Sequence, residues 1–166
     1  MAVHPAPTGP YFEDLSPGDV FEHAAGRTIT EADNVWFSLL TQNPQAIHID
    51  KHYAAQTTFG QPLVNSCFTL ALVTGQSVAD LTQNVLANLG WDEVKLPHPV
   101  FEGDTIYSRS EVLEARESAS HPEAGIVTMR STGYNQRGEV VISFKRTAMV
   151  YKRDHTPDRK RPTPQS

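Results

Sequence analysis

Cysteine is nearly missing: Cys67 is the single one in 166 residues. No internal disulfide can form, and a reducing, cytoplasmic setting is expected. Long apolar runs are missing too, and none approaches the ~20 residues that a membrane-spanning helix requires. The opening MAVHPAPTGP has neither a basic nor an apolar stretch, so no export signal is expected. Positive charge is in short supply, with 14 Lys and Arg against 19 Asp and Glu and a formal net charge of -5. That balance argues against a nucleic-acid partner, which normally meets a basic surface. The chain has no internal repeat. With 39% apolar and 20% charged residues it has the balance of one soluble domain with a sizeable core.

Local signals then set the elements. Ser16-Pro17-Gly18-Asp19 is a turn signal ahead of a short strand around 20–29, broken at Gly26. Thr30 reads as a helix N-cap, with Glu31 and Asp33 placed where acids complement the helix dipole. Val35, Trp36, Leu39 and Leu40 recur at helical spacing and predict that helix's buried face. It must end before Pro44, because the residue preceding a proline is pushed out of the helical conformation. Residues 51–56 then offer one short turn, capped by Asp50. From Leu63 to Leu81 the sequence is apolar nearly all round, which predicts a helix inside the structure. Asn65 and Ser66 are the polar residues at its start, and its Gly75 predicts a close packing contact.

Beyond residue 84 the pattern turns to strands. Residues 94–100 suit an edge or irregular strand, given Pro97 and Pro99. Residues 105–116, 125–136 and 139–152 alternate, the last most clearly, and Asn135-Gln136-Arg137-Gly138 is a hairpin turn. Asp104 is expected to organise the turn before the first of these. The implied class is α+β: a mostly antiparallel sheet covering one long buried apolar helix. Such a sheet leaves an edge free, so copies are expected to pair. The expected division is a flexible N-terminus over 1–10, one domain over 11–152, and a basic, proline-rich disordered tail over 153–166. The tail's basic root, Lys152 and Arg153 with Arg159, Lys160 and Arg161, has a sharper alternative role on ligand phosphates.

Four segments carry a resemblance: "GRTITEAD" (26–33), "LTQNPQAIHID" (40–50), "FGQPLVNSCFTL" (59–70) and "PVFEGDT" (99–105). In that order they resemble the MaoC-like hot-dog hydratases and dehydratases of acyl thioesters. With "SVADLTQ" and "ANLG", they are most similar to the branch that hydrates itaconyl-CoA or mesaconyl-CoA. The resemblance implies a hot-dog fold over roughly 11–152 and a homodimer, or a larger homo-oligomer, whose partner contributes part of the pocket. It also implies an acyl-CoA substrate. Neither a metal nor a redox cofactor is implied, since hydration needs no electron transfer, and no Lewis acid where a helix end polarises the carbonyl; CoA is carried by the substrate.

It further implies that His48 is the acid–base group and that Asn65, Ser66 and Cys67 hold the thioester at the helix start. Where many (R)-specific members carry Asp five residues before the histidine, this chain has Asn43. An amide does not titrate, so Asn43 can only bind or orient water, and proton transfer falls to an imidazole, with its ordinary pKa of ~6.5. Duller roles stand beside these. His48 taken alone could be structural, and Asn43 could cap the preceding helix. Asp50 could orient His48 but reads better as a cap. Ser66 could be only a helix-start residue, and Cys67 reads as a small buried apolar residue. His52, His98 and His121 show no convincing metal spacing. A thioesterase or a non-catalytic acyl-CoA-binding subunit would share the fold. A dicarboxylic substrate would need a cation, and Arg27, Lys51, Arg109, Arg130, Lys145 and Arg146 are all candidates.

Overall fold

The computed structural model describes residues 8–157. Two short strands, β1 (Val20–Glu22) and β2 (Arg27–Thr28), lead to the helix α1 (Glu31–Leu40). Single helical turns follow at α2 (Ala46–Ile49) and α3 (Lys51–Ala54), then the long helix α4 (Ser66–Gln76) and a π-helical turn at Val78–Thr82. The second half is four long strands: β3 (Val85–Lys95), β4 (Thr105–Glu117), β5 (Ala124–Tyr134) and β6 (Val140–Tyr151). They form an antiparallel sheet in the order β1-β4-β5-β6-β3, with β2 also on β4. The α+β hot-dog arrangement expected above is present.

Alternation explains the sheet's long strands. On β5 and β6 successive residues point to opposite faces, and Val127, Met129, Ile142, Phe144 and Val150 are buried. One core cluster joins Val73 of α4 to Ile29, Val64, Val100, Ile106, Ile142 and Phe144. A second joins Leu15 and Leu81 to Val112, Val127, Met129 and Val150. Between them runs a polar band: Ser110 Oγ and Ser131 Oγ are 2.8 Å apart, and His23 Nε2 is 2.9 Å from Ser110 Oγ. In the same band Arg146 is buried with neutral partners among the described residues. It donates to Asn88 Oδ1, Ser77 Oγ and Thr82 Oγ1, and burial lowers its pKa from the ordinary value.

Several expectations change. The strand predicted over 94–100 is not formed: Pro97 and Pro99 have no N–H to give a ladder, and the edge strand is β3, just before them. β3 escaped the reading because its register shifts three times and most of its residues are exposed, which erases alternation. The apolar face of α1 points outward, with Trp36 66% and Leu40 76% exposed, while Asn34 and Ser38 are buried. On α4 the buried residues are Thr69 and Val73, since the sheet of one chain covers a single flank. Its other flank exposes Cys67, Ala71 and Gly75, so Cys67 is exposed rather than buried, and a methyl group at Gly75 would meet no described atom beyond its own helix.

The turns hold as expected. Asp104 Oδ2 accepts from the N–H of Phe101, and Gly138, at φ 78°, closes the β5–β6 hairpin on the carbonyl of Asn135. Asn84 Nδ2 donates to the carbonyls of Thr8, Gly9 and Pro10. Arg153 pairs with Asp14 and stacks on Tyr11. The rest of the two terminal segments, 1–7 and 158–166, lies outside the described residues.

The helix sits so close to the sheet that Gly133 has no room for a side chain. A methyl group there would lie 2.6 Å from Cγ2 of Val73. Gly133→Ala is expected to cost about 1–3 kcal/mol by overpacking, read from urea unfolding. His23 gives a pH dependence. Burial lowers its pKa, partly opposed by Asp80, whose Oδ2 lies 3.4 Å from Nδ1. The unfolded chain therefore takes up this proton first as pH falls below about 6.5, and stability is lost from there down to the folded-state pKa. Above that window His23 is neutral in both states and contributes no slope. His23→Gln is expected to show a shallower fall of the urea midpoint between pH 6.5 and 5 than the parent chain.

Candidate active site

The end of α1 prepares the site. Thr41 caps the helix and Gln42 takes the left-handed conformation, φ 55°. The N–H of Asn43 then reaches the carbonyl of Ser38 at 2.8 Å, and that of Gln42 reaches Leu39 at 3.1 Å. These two bonds close a Schellman motif without glycine. Asn43 thus finishes the helix through its backbone, and its side-chain Oδ1 accepts the N–H of Gln45 at 3.1 Å. Past Pro44 the single turn α2 carries His48.

His48 Nδ1 lies 2.7 Å from the carbonyl oxygen of Leu63. A carbonyl can only accept, so Nδ1 holds the proton and a neutral ring presents its lone pair at Nε2. The pairing runs both ways along the chain, since the N–H of Leu63 donates to the carbonyl of Ile47 at 3.0 Å. Two residues past Leu63, Asn65 caps α4, its Oδ1 accepting the N–H of Cys67 at 3.0 Å. The structure therefore brings His48 and the start of α4 together through Leu63.

The candidate residues at that helix start divide. Asn65 is buried and fully used as a cap, and the N–H of Cys67 is spent on it. Ser66 and Phe68 supply the first-turn amides left for a ligand, because no carbonyl precedes them in the helix. Asp50 accepts the N–H of Tyr53 at 3.0 Å and caps α3; it acts on α3 and not on the imidazole. Sequence reasoning missed Asn34, whose Nδ2 donates to the carbonyls of His48 and Leu63. Its Oδ1 accepts the N–H of Asn65. The only sequence signal was a polar residue on a helix whose apolar residues were assumed to face inward.

Residues 62–64 contribute to two depressions. An apolar groove of about 240 Å³ is lined by Ser66 and Thr69 of α4, with Phe59, Leu63, Val100 and His98. A smaller one holds His48 beside Glu31, Lys51, Pro62 and Glu102. Glu31 lies 2.7 Å from Lys51 Nζ, and this hydrogen bond raises the ammonium's pKa above its ordinary value. Most candidate cations are already paired. Arg27 meets Asp33, Arg109 meets Glu22, and Arg130 and Lys145 share Glu93. Of the six, Lys51 is the one beside His48. Among the described residues no three of His, Cys, Asp and Glu gather in a way that could hold a metal.

A family model for mesaconyl-CoA hydratase matches residues 3–160. The mesaconyl-CoA hydratase of Cereibacter sphaeroides is 34% identical over 146 residues, covering 88% of this chain and 42% of that protein. A solved Mycobacterium tuberculosis protein described as a double hot-dog fold superposes with a TM-score of 0.81 at 30% identity. That match covers 91% of this chain and 47% of that one. The MaoC-like dehydratase of Rhodospirillum rubrum gives 0.76 at 31% identity, over 87% and 99%. The chain thus spans less than half the length of the mesaconyl-CoA hydratases it matches.

Asp50→Ala is expected to cost about 1 kcal/mol by loss of the α3 cap, seen as a lower thermal midpoint. The Nδ1–Leu63 bond is expected to persist, read from the ring-nitrogen NMR shifts of His48.

Proposed function

The chain belongs to the mesaconyl-CoA hydratase family, and from that premise we propose that it adds water across a double bond conjugated to a CoA thioester, or removes it. The observation that carries this reading is the fixed His48 tautomer beside the start of α4. Hydration needs a base near the β-carbon and a partner for the negative charge that grows on the thioester oxygen. Nε2 takes a proton from water as the water oxygen bonds to the β-carbon, and the displaced π electrons move onto the thioester oxygen. The amides of Ser66 and Phe68 at the start of α4 meet that oxygen, needing no rearrangement as charge develops. The imidazolium then returns a proton to the α-carbon, and the double bond has gained H and OH. Asn43, whose Oδ1 already serves Gln45, orients the water through its amide nitrogen.

The apolar groove beside Ser66 suits the acyl chain, and its 240 Å³ is small for a whole ligand. A second copy of this chain is proposed to complete it. β3 is an edge strand that exposes Leu89, Trp91 and Val94, a row of unpaired amides and apolar side chains that calls for cover. A homodimer would give this chain the two units that the double hot-dog protein of Mycobacterium tuberculosis carries in one. The reaction calls for no electron transfer, and no cofactor is proposed beyond the CoA of the substrate. No described helix is long and apolar enough to cross a membrane. The lone exposed cysteine suits the reducing cytoplasm proposed for it.

A panel of enoyl-CoA esters, mesaconyl-, itaconyl- and crotonyl-CoA among them, followed by the absorbance of the conjugated thioester, tests the reading. His48→Ala is expected to lower kcat by about 10²–10⁴-fold. Full activity in that variant, or no hydration of any ester by the parent chain, would end the proposal.

A further inference from the structure

Helix α1 is inverted: its polar residues Asn34 and Ser38, one turn apart, are buried, while Trp36 and Leu40 stand in solvent. Burying an unmatched amide is costly, and an apolar residue is the usual occupant of such a position. Asn34 avoids the cost by using both of its donors and its carbonyl oxygen. Its Nδ2 donates to the carbonyl of His48 at 3.0 Å and of Leu63 at 3.1 Å, and its Oδ1 accepts the N–H of Asn65 at 2.9 Å.

Those three groups come from the three parts of the site. His48 belongs to the turn that carries the imidazole. Leu63 supplies the carbonyl that fixes the imidazole's tautomer, and Asn65 caps the helix whose start meets the thioester. We propose that Asn34 is a positioning residue for the reaction, setting the separation between the His48 ring and the start of α4 from a helix that touches no reacting atom. This rests on the hydratase reading above.

The chemistry of the Leu63 carbonyl supports it. Its oxygen accepts from both His48 Nδ1 and Asn34 Nδ2, as a carbonyl with two lone pairs can, so Asn34 holds in place the group that His48 leans on. Ser38 extends the hold: its Oγ accepts from Asn65 Nδ2 at 3.3 Å, which turns Asn65 Oδ1 toward the N–H of Cys67. Losing the Asn34 donors frees the His48 carbonyl and lets α2 shift against α4. Displacements of about 1 Å cost on the order of 10²-fold in rate.

Asn34→Asp keeps the shape and the acceptor but loses both donors. Asn34→Ser, which removes the amide without placing a charge in the interior, serves if Asn34→Asp does not fold. Val127→Ala, in the other core cluster, lowers stability without touching the site. Two readouts are needed at 25 °C: kinetics on crotonyl-CoA and the NMR shifts of the His48 ring nitrogens, which report the tautomer. The expected result for the Asn34 variants is a kcat lower by roughly 10–100-fold with KM within about twofold. Their ring shifts should move away from the Nδ1–H pattern, whereas Val127→Ala changes the thermal midpoint alone. Parent-like kcat and ring shifts in the folded Asn34 variants would overturn the inference. If the parent chain hydrates no ester, the hydratase reading fails by itself. The ring spectrum then decides about Asn34: moved shifts support the positioning role and unmoved shifts refute it.

Discussion

The hydrogen bond from the His48 ring to the carbonyl of Leu63 joins two stretches 15 residues apart, and the arrangement of the site depends on it. Leu63 is able to serve because it is held from the other side as well. It pairs with Phe101 in an isolated bridge, and the N–H of Val64 reaches the carbonyl of Val100. Phe101 is fixed in turn by the Asp104 carboxylate, which also takes bonds from Gln136 and Arg137 of the β5–β6 hairpin. The imidazole is thereby referenced to the sheet through a short series of backbone contacts, each made to a rigid neighbour. The position of the imidazole is thus fixed by the fold itself.

The polar band across the inner face of the sheet is the price of another kind of order. A continuous apolar core would bury more hydrocarbon, yet Ser108, Ser110, Ser131, His23 and Arg146 interrupt it. Their bonds are directional: Ser108 Oγ donates to Gln76 Oε1, and Gln76 Nε2 reaches the carbonyls of Ala25 and Ile106. The end of α4 at Gln76 is therefore oriented over the sheet by hydrogen bonds, and three residues earlier Val73 seats the helix against Gly133. Apolar contact brings the helix to the sheet, and the polar contacts settle its rotation.

Local chemistry was the legible part of the sequence. Thr30 with Asp33, Asp50 before α3, Pro44 after α1 and the 135–138 turn each act within a few residues, and each is found in place. So is the alternation of β4, β5 and β6. The family motifs led to the region around His48 and to the start of α4. What stayed hidden depends on contacts far along the chain. The tautomer of His48 is set by residue 63, and the inward turn of Asn34 by residues 48, 63 and 65. β3 lacked a period because an exposed, bulged edge places no demand on either face. Cys67 and the rest of its flank of α4 looked buried because hydropathy counts side chains and not the surface available to cover them.

Arg146 has a further consequence. Its guanidinium stays charged, and Asn88, Ser77 and Thr82 are shaped to receive it at one alignment of β6 against β3. A slip by one residue would turn Arg146 out to water and thrust Lys145 and Thr147 inward among groups that do not fit them. The charge in the interior thus works as a key, admitting one pairing of the two strands and locking out its neighbours.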